Sequence, residues 1–194
     1  QSDQRFARLA RRGGSGERVG RKCRIVALAV RRVGRRAGQI GAGRGYDPWR
    51  EPKSNIDWSS TYGMTRTEFT SPYFDAWVDG QENDLADARA AIHARDFEKL
   101  ADVSEFSCLK MHASALAARP GLIYWNGATI EALNAVRNLR AKGIPVFFTI
   151  DAGPQLKAVC LAESEAAVRE TLLAVPGVKR VITSGLGTGV EVKV

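Results

Sequence analysis

The sequence predicts an α+β fold in which helices pack against an antiparallel β-sheet. Its C-terminal three quarters contain three helical patterns, followed in order by strand, strand, helix, strand and strand. The clearest strand is 145–150, because an apolar run of β-branched and aromatic residues is typical of a buried strand. Charge also divides the chain: residues 1–50 hold 14 Lys/Arg and 3 Asp/Glu, and the remainder holds 15 and 18. We therefore predict a basic, atypical N-terminal remnant at 1–50 and a folded domain at 51–194.

The helices are predicted from apolar residues three or four positions apart and from capping side chains. The three stretches are 82–94, then 97–117 with Asp96 as its cap, and one that begins at Asn126 or Thr129 and stops at Gly143. His112 lies within the second helix, where a packed or hydrogen-bonded core histidine is commoner than a catalytic base.

The strands and the last helix follow strand 145–150. Their predicted bounds are a partner strand at Leu156–Leu161, a helix at Glu163–Ala174, and closing strands at Val181–Thr183 and Val190–Val194. The glycine-rich segment 184–189 precedes a strand and not a helix, so we interpret it as a hairpin turn and not a phosphate loop. Within residues 1–50, only Ile25–Val30 fits a short strand.

Composition narrows the class of protein. The three cysteines, Cys23, Cys108 and Cys160, are an odd number without metal-ligand spacing, which predicts reduced thiols in a cytoplasmic protein and no metal-binding residues. No apolar run is long enough to cross a bilayer, and the first residues lack a secretory signal pattern, so we expect no membrane association. The net charge of +8 comes entirely from residues 1–50, and the rest of the chain is mildly acidic, so we expect no nucleic-acid binding by the folded part.

Asp151 is the leading candidate for chemistry. It ends the strand 145–150, and Ala152, Gly153 and Pro154 then form a small, stiff turn that lets a ligand approach the backbone. A carboxylate delivered to a cleft in this way can orient a substrate hydroxyl or accept its proton. The alternative is a turn residue whose side chain binds nearby backbone N–H groups, and spacing alone favours it.

Several ordered motifs carry a resemblance to a known family. Phe148 to Pro154 resembles the Phe-Thr-Φ-Asp-Ala-Gly-Pro-Asn signature of the diphosphomevalonate decarboxylases, in the GHMP kinase superfamily, with Gln155 in place of the last Asn. Ser59 to Met64 resembles that family's Ser-Ser-Thr-x-Gly-Met. Further similar segments are Thr67, Thr70–Pro72, Met111–Ala113, Ala118–Pro120 and Ile123–Trp125. The resemblance runs from about Lys53 to Val194 and implies a GHMP-type C-terminal domain with a ferredoxin-like sheet.

The resemblance also implies an activity. The family uses ATP and Mg²⁺ to phosphorylate the tertiary 3-hydroxyl of (R)-5-diphosphomevalonate, and loss of phosphate and carbon dioxide then gives isopentenyl diphosphate, an isoprenoid precursor. Phosphorylation is needed because hydroxide is a poor leaving group. Asp151 would be the catalytic acid–base residue of the first step.

The site residues implied by the resemblance lie in three segments. Ser60 and Thr61 would bind substrate just before a helix, where hydroxyl and N–H groups suit phosphate, although a plain helix cap is the commoner use of such residues. Ala152 and Gly153 would contact substrate beside Asp151. The remaining assignments are Lys53 and Ser59 to the nucleotide-binding loop, in which the spacing is longer than usual by about two residues, and Ser15 to substrate.

Residues 1–50 allow three interpretations. They could be a basic arm that binds polyanions, a solvated leader, or a remnant of the family's serine-rich substrate motif. Leu9 to Gly16 begins that motif, and Glu17 to Gly20 departs from it. We hypothesise that about 17–49 is an out-of-frame translation of a GC-rich gene, which resequencing tests.

The family's glycine-rich ATP-binding motif has no counterpart in the sequence, so we expect weak or no activity from this chain alone. Two alternatives within the superfamily are a phosphomevalonate decarboxylase and a mevalonate kinase. A third alternative is a non-catalytic RNA-binding module with a basic arm. Family members are commonly homodimers, so we also expect a homodimer.

Overall fold

The computed structural model describes the backbone of residues 23–30 and the whole of residues 60–185. Four strands lie in these ranges: β1 (Cys23–Val30), β2 (Val146–Ile150), β3 (Leu156–Leu161) and β4 (Val178–Gly185). The helices are α1 (Ser60–Thr70), α2 (Phe74–Asp79), α3 (Gln81–Ala94), α4 (Phe97–Leu116), α5 (Gly127–Ala141) and α6 (Glu165–Leu173), the last preceded by a 3₁₀ turn at Ala162–Ser164.

The four strands form one antiparallel sheet in the spatial order β2-β3-β1-β4. Helices connect β1 to β2 and β3 to β4, and a short loop joins β2 to β3, which is the split βαββαβ arrangement of ferredoxin-like folds. The predicted α+β class, with helices on an antiparallel sheet, is confirmed. The predicted pairing of the strand at 146–150 with the strand at 156–161 is confirmed too, with Val146 opposite Cys160 and Ile150 opposite Leu156.

Strand β1 lies inside the stretch that the sequence separates from the folded domain. It pairs with β3 on one side and with β4 on the other, with a bulge between Ala29 and Val30. The short strand expected at Ile25–Val30 is therefore present and begins two residues earlier, at Cys23. The sheet thus extends across the predicted domain boundary at residue 50. The rest of 17–49 lies outside the described residues, and the reading-frame hypothesis for it stays a prediction.

The helix ends follow from local chemistry. The Asp96 side chain accepts a hydrogen bond from the Lys99 N–H at 2.9 Å and so begins α4 as predicted. Asn126, rather than Thr129, caps α5, and the Thr129 side chain reciprocates in a capping box. Gly143 adopts φ +82° just after α5, a conformation that favours glycine.

The core lies between the sheet and the helices α4, α5 and α6. Helix α4 contributes Cys108 to it, and the members with no exposed surface come from α5, β2, β3 and α6: Ala132, Val136, Val146, Phe148, Ile150, Leu156, Ala158, Cys160, Val168 and Leu172. Helix α6 begins at Glu165 and β4 extends from Val178, so each differs from its predicted bounds by a few residues. The predicted hairpin at 184–189 and strand at 190–194 lie almost wholly outside the described residues. No helix among the described residues is both long and apolar enough to span a bilayer.

Candidate active site

Asp151 is the first residue after β2, at the end of the sheet where the strand stops. Its side chain is about half exposed, at 51%, and its Oδ2 forms an ion pair with Nζ of Lys157 on β3. Lys157 lies opposite Thr149 in the β2–β3 register, two residues before Asp151. The sequence predicts a cleft around Asp151, whereas the described residues alone leave its carboxylate open to solvent.

The loop after Asp151 is fixed by α5. The Thr129 hydroxyl, which is fully buried, donates a hydrogen bond to the Pro154 carbonyl at 2.9 Å. Gly153 adopts φ +156°, and a Cβ built there would lie 2.6 Å from Oε1 of Gln155. A side chain at Gly153 would therefore displace the amide of Gln155, which lies against this glycine.

Helix α4 lies along the outer edge of β2 and binds its backbone through side chains. The Ile150 N–H donates to Sγ of Cys108 at 3.3 Å, and Nε2 of His112 donates to the Ile150 carbonyl at 3.0 Å. Two residues earlier on the same edge of β2, the Phe148 N–H donates to Oε1 of Glu105 at 3.3 Å. These side chains replace the neighbouring strand that an edge strand lacks.

His112 is 3% exposed, and burial lowers the pKa of its imidazole, so the ring is neutral with the proton on Nε2. Burial likewise raises the pKa of the Glu105 carboxyl. The expectation that His112 is a hydrogen-bonded core histidine is confirmed.

Tyr124 joins His112 to the start of α1. The His112 ring centroid lies 5.9 Å from that of Tyr124 and 4.5 Å from that of Trp125. A Cβ built on Gly63 would lie only 2.1 Å from the Tyr124 hydroxyl oxygen, so the fourth residue of α1 packs directly on this ring. The end of β2 and the first turn of α1 are thereby connected through one aromatic layer.

Ser60 and Thr61 are the first two residues of α1, and both are exposed. The Thr61 carbonyl accepts a hydrogen bond from the Thr65 hydroxyl at 3.0 Å, an interaction within the helix. The structure therefore places them within the first described turn of α1, whereas the sequence predicts them just before the helix. The other predicted site residues, Ser15, Lys53 and Ser59, lie outside the described residues.

Sequence reasoning missed three residues at this site. Lys157 pairs with Asp151, Thr129 holds the following loop, and His112 holds the strand end. A signal for Lys157 was available, because the predicted hairpin places it one residue into the partner strand, near the end of the strand that carries Asp151. Nothing local in the sequence marks the other two, since their partners are 25 and 38 residues away.

Two further observations concern ligands. Among residues 60–185, no cluster of three or more His, Cys, Asp or Glu side chains is arranged to hold a metal ion. An open groove of about 630 Å³ lies along α6, lined by residues between Ala162 and Leu173, and it includes no residue of the Asp151 loop.

Comparison with known proteins gives the family. Residues 53–189 match the model of the mevalonate 5-diphosphate decarboxylase C-terminal domain, which is most of the chain. The chain belongs to the mevalonate 5-diphosphate decarboxylase family. The resemblance that the sequence motifs carry is thereby confirmed, and so is the GHMP-type C-terminal fold.

The relatives are decarboxylases of the mevalonate pathway. The chain is 30% identical over 120 residues to a diphosphomevalonate decarboxylase of Schizosaccharomyces pombe, covering 60% of this chain and 30% of the relative. It is 35% identical over 70 residues to a phosphomevalonate decarboxylase of Haloferax volcanii, covering 36% and 22% respectively. The aligned regions therefore span about a third or less of these curated proteins.

Solved structures show the same fold. The mevalonate diphosphate decarboxylase of Staphylococcus aureus superposes with a TM-score of 0.72 at 25% identity, covering 88% of this chain and 45% of that one. A complex of MDDEF with MVAPP, AMPPCP and magnesium superposes with a TM-score of 0.68 at 29% identity, covering 87% and 45%. The chain thus spans less than half of these structures.

Proposed function

We propose that this chain carries the catalytic aspartate of an ATP-dependent decarboxylase that converts (R)-5-diphosphomevalonate to isopentenyl diphosphate. The observation that supports this most directly is the position of Asp151, at a strand end held by α4 and α5 with its carboxylate open to a ligand. An exposed ion pair contributes at most about 1 kcal/mol to stability, so the Asp151–Lys157 pair has little structural purpose of its own.

In the proposed reaction, Asp151 orients the tertiary 3-hydroxyl and accepts its proton while that oxygen attacks the γ-phosphoryl group of ATP. ADP is the leaving group, and Mg²⁺ bound with the nucleotide would neutralise charge on the phosphates. The C–O bond then breaks and phosphate leaves with its electron pair. The bond to the carboxylate breaks next, its electrons form the new C=C bond, and carbon dioxide is released. Lys157 holds the Asp151 carboxylate in the orientation that the first step requires.

Phosphate binding is assigned to the start of α1. The hydroxyls of Ser60 and Thr61 lie at a helix N-terminus, where free N–H groups and the helix dipole attract anions. Ala152 and Gly153 let the substrate approach the loop backbone. The proposal also includes Lys53 and Ser59 in the nucleotide loop and Ser15 at the substrate.

The test compares Asp151→Asn with Asp87→Asn. Both aspartates are about half exposed, at 51% and 56%, and each pairs with one lysine, so the second variant controls for loss of an exposed ion pair. We expect Asp151→Asn to lower kcat by roughly 10²- to 10⁴-fold, because a positioned acid–base group contributes about that much. The Asp87→Asn variant should keep wild-type turnover.

Carbon dioxide release from ATP, Mg²⁺ and diphosphomevalonate is measured for this chain and for the complete reading frame that contains it. Decarboxylation that persists in Asp151→Asn would remove Asp151 from the mechanism. A complete protein that releases no carbon dioxide from diphosphomevalonate but transfers phosphate from ATP to mevalonate would instead be a mevalonate kinase.

A phosphomevalonate decarboxylase is the second candidate, because the Haloferax volcanii relative with that name is 35% identical over 70 residues. The two decarboxylases share the chemistry at the 3-hydroxyl and differ in the number of phosphates at the far end of the substrate. Measuring kcat/KM for the monophosphate and the diphosphate decides between them.

Compartment and assembly belong to the same proposal. Cys108 and Cys160 are buried and are not joined in a disulfide, which supports the proposal of a cytoplasmic protein. The homodimer stays a prediction, which sedimentation velocity checks. The RNA-binding alternative also stays a prediction, and salt-dependent binding that is lost on deleting residues 1–50 would revive it.

A further inference from the structure

The last residue of β2 is held on both of its backbone polar groups by α4. Cys108 accepts from the Ile150 N–H, and His112 donates to the Ile150 carbonyl four residues further along the helix. Side chains four positions apart lie on one face of a helix, so a single helix face supplies both partners. At an edge strand these two groups would otherwise face solvent or another chain.

The hydrogen bond from His112 acts on the peptide that leads into Asp151. The Ile150 carbonyl and the Asp151 N–H belong to one planar peptide group, so fixing the carbonyl direction fixes the plane from which Asp151 departs. The Cys108 sulfur accepts from the N–H of the preceding peptide plane, and its thiol also donates to the Ile150 carbonyl at 3.6 Å, a longer contact than that of His112. Together they limit the backbone rotations at Ile150 that would swing the Asp151 side chain.

A purely space-filling role does not account for His112. It is buried to 3% exposure against the rings of Tyr124 and Trp125, a site that an apolar side chain could fill without burying a polar ring. What the imidazole adds is one N–H directed at the Ile150 carbonyl at 3.0 Å.

We propose that His112 is a positioning residue for Asp151, assisted by Cys108, and that it acts by holding the Ile150–Asp151 peptide in its catalytic orientation. This inference rests on the proposed function of Asp151. It assigns His112 no contact with substrate and no proton transfer.

The test uses two substitutions at His112 and two at Cys108. His112→Gln keeps an N–H donor at a similar reach, whereas His112→Leu fills the space without a donor. Cys108→Ser keeps a donor and acceptor, and Cys108→Ala removes them. Cys160→Ala controls for loss of a buried thiol, since Cys160 lies in the same core but opposite Val146.

Kinetics on the complete protein give the first readout. A misplacement of about 1 Å can cost roughly 10²-fold in rate, so we expect His112→Leu to lower kcat by about that factor while KM for ATP stays within about twofold. His112→Gln should recover most of this loss. Cys108→Ala should fall between the two, and Cys108→Ser and Cys160→Ala should stay near wild type.

The second readout does not depend on activity. In the ¹H–¹⁵N spectrum of the folded protein, the Asp151 amide should shift or broaden in His112→Leu and return in His112→Gln. An unchanged Asp151 amide in His112→Leu overturns the proposal, and so does full turnover of His112→Leu in a protein that Asp151→Asn inactivates. If the proposed function itself fails, Asp151→Asn remains active or the wild type releases no carbon dioxide, while the spectrum still reports whether His112 holds the peptide.

Discussion

Substitution of Gly63 by alanine tests the contact between α1 and Tyr124. Within a helix, alanine is favoured over glycine by about 1 kcal/mol, so Gly63→Ala should stabilise α1 if nothing else intervenes. The new methyl would however lie 2.1 Å from the Tyr124 hydroxyl oxygen, and the two atoms must separate by more than about 1 Å to reach ordinary contact. Overpacking of this kind costs about 1–3 kcal/mol, so we expect a net loss of about 1 kcal/mol in the free energy of unfolding.

Removing the Tyr124 hydroxyl should reverse the sign of that effect. The hydroxyl oxygen is buried without a hydrogen-bond partner in the described part of the chain, so Tyr124→Phe loses no bond and is expected to be neutral or slightly stabilising. The nearest remaining ring atom, Cζ, would lie 3.4 Å from the alanine methyl, which is ordinary contact. In the Tyr124→Phe background, Gly63→Ala should therefore stabilise by about 1 kcal/mol.

The wild type, Gly63→Ala, Tyr124→Phe and the double variant form a double-mutant cycle. Their free energies of unfolding are measured by urea denaturation at 25 °C, monitored by far-ultraviolet circular dichroism. We expect a coupling energy of about 2 kcal/mol, well above the roughly 0.5 kcal/mol found for independent sites. Gly127→Ala is the control, because a methyl group there has no neighbour within 4 Å. Equal effects of Gly63→Ala in both backgrounds would refute the contact, and stabilisation in the wild-type background would show that α1 does not pack on Tyr124.

Three further predictions concern stability. Burial lowers the pKa of His112 from its ordinary value of 6.5, so below that pH the unfolded chain binds a proton that the folded chain does not. The wild type should therefore lose stability on acidification more steeply than His112→Gln, which thermal melts at several pH values measure. Gly143→Ala should cost about 1 kcal/mol through its φ of +82° alone, since a Cβ there has no neighbour within 4 Å; a cost near zero in urea unfolding would contradict this. Arg140→Met should cost more than the about 1 kcal/mol of an exposed ion pair, because it removes the positive charge 3.9 Å from the Glu105 carboxylate, which is 11% exposed. The contribution of the Glu98 and Asp102 partners, which are 64% and 73% exposed, should shrink in about 0.5 M NaCl, where screening is strong, and urea unfolding at low and high salt measures it.

The elements that the sequence predicts well are those with local signals. Strand β2 is a continuous apolar run, and α4 begins at an aspartate cap, so their bounds differ from the predicted ones by no more than one residue. Helix α6 begins later than predicted because a 3₁₀ turn occupies its first residues.

Local signals predict the existence of β1, as a short strand at Ile25–Val30, but they do not predict its place in the sheet. Its eight residues lie in a strongly basic region, so the charge over residues 1–50 separated them from the domain whose sheet they join. Its partners, β3 and β4, are more than 120 residues away in sequence, and such pairing depends on the whole fold. The sheet therefore includes a strand from the basic region, and the division of the chain at residue 50 stays a prediction.

The candidate site also contains residues with a local sequence signal and residues without one. Asp151 follows directly from a strand that ends on an acid, and Ser60 from a hydroxyl pair before a helix. The residues that hold Asp151 in place come from α4 and α5, through contacts that span tens of residues and involve ordinary core side chains. Sequence reasoning could therefore nominate the acid and could not find its supports.

The edge position of β2 explains why side chains of a helix, rather than a neighbouring strand, bind the backbone that leads into Asp151. A fifth strand beside β2 would satisfy its free backbone groups, but it would continue past Ile150 and crowd the space beside Asp151. A helix satisfies the same groups through discrete side chains, and the column formed by Glu105, Cys108 and His112 reaches Ile150 and stops there. The strand is protected from pairing with other chains, and the acid that follows it stays accessible. If His112 and Cys108 could both be replaced by apolar residues without moving the Asp151 amide, this account of the edge would be wrong.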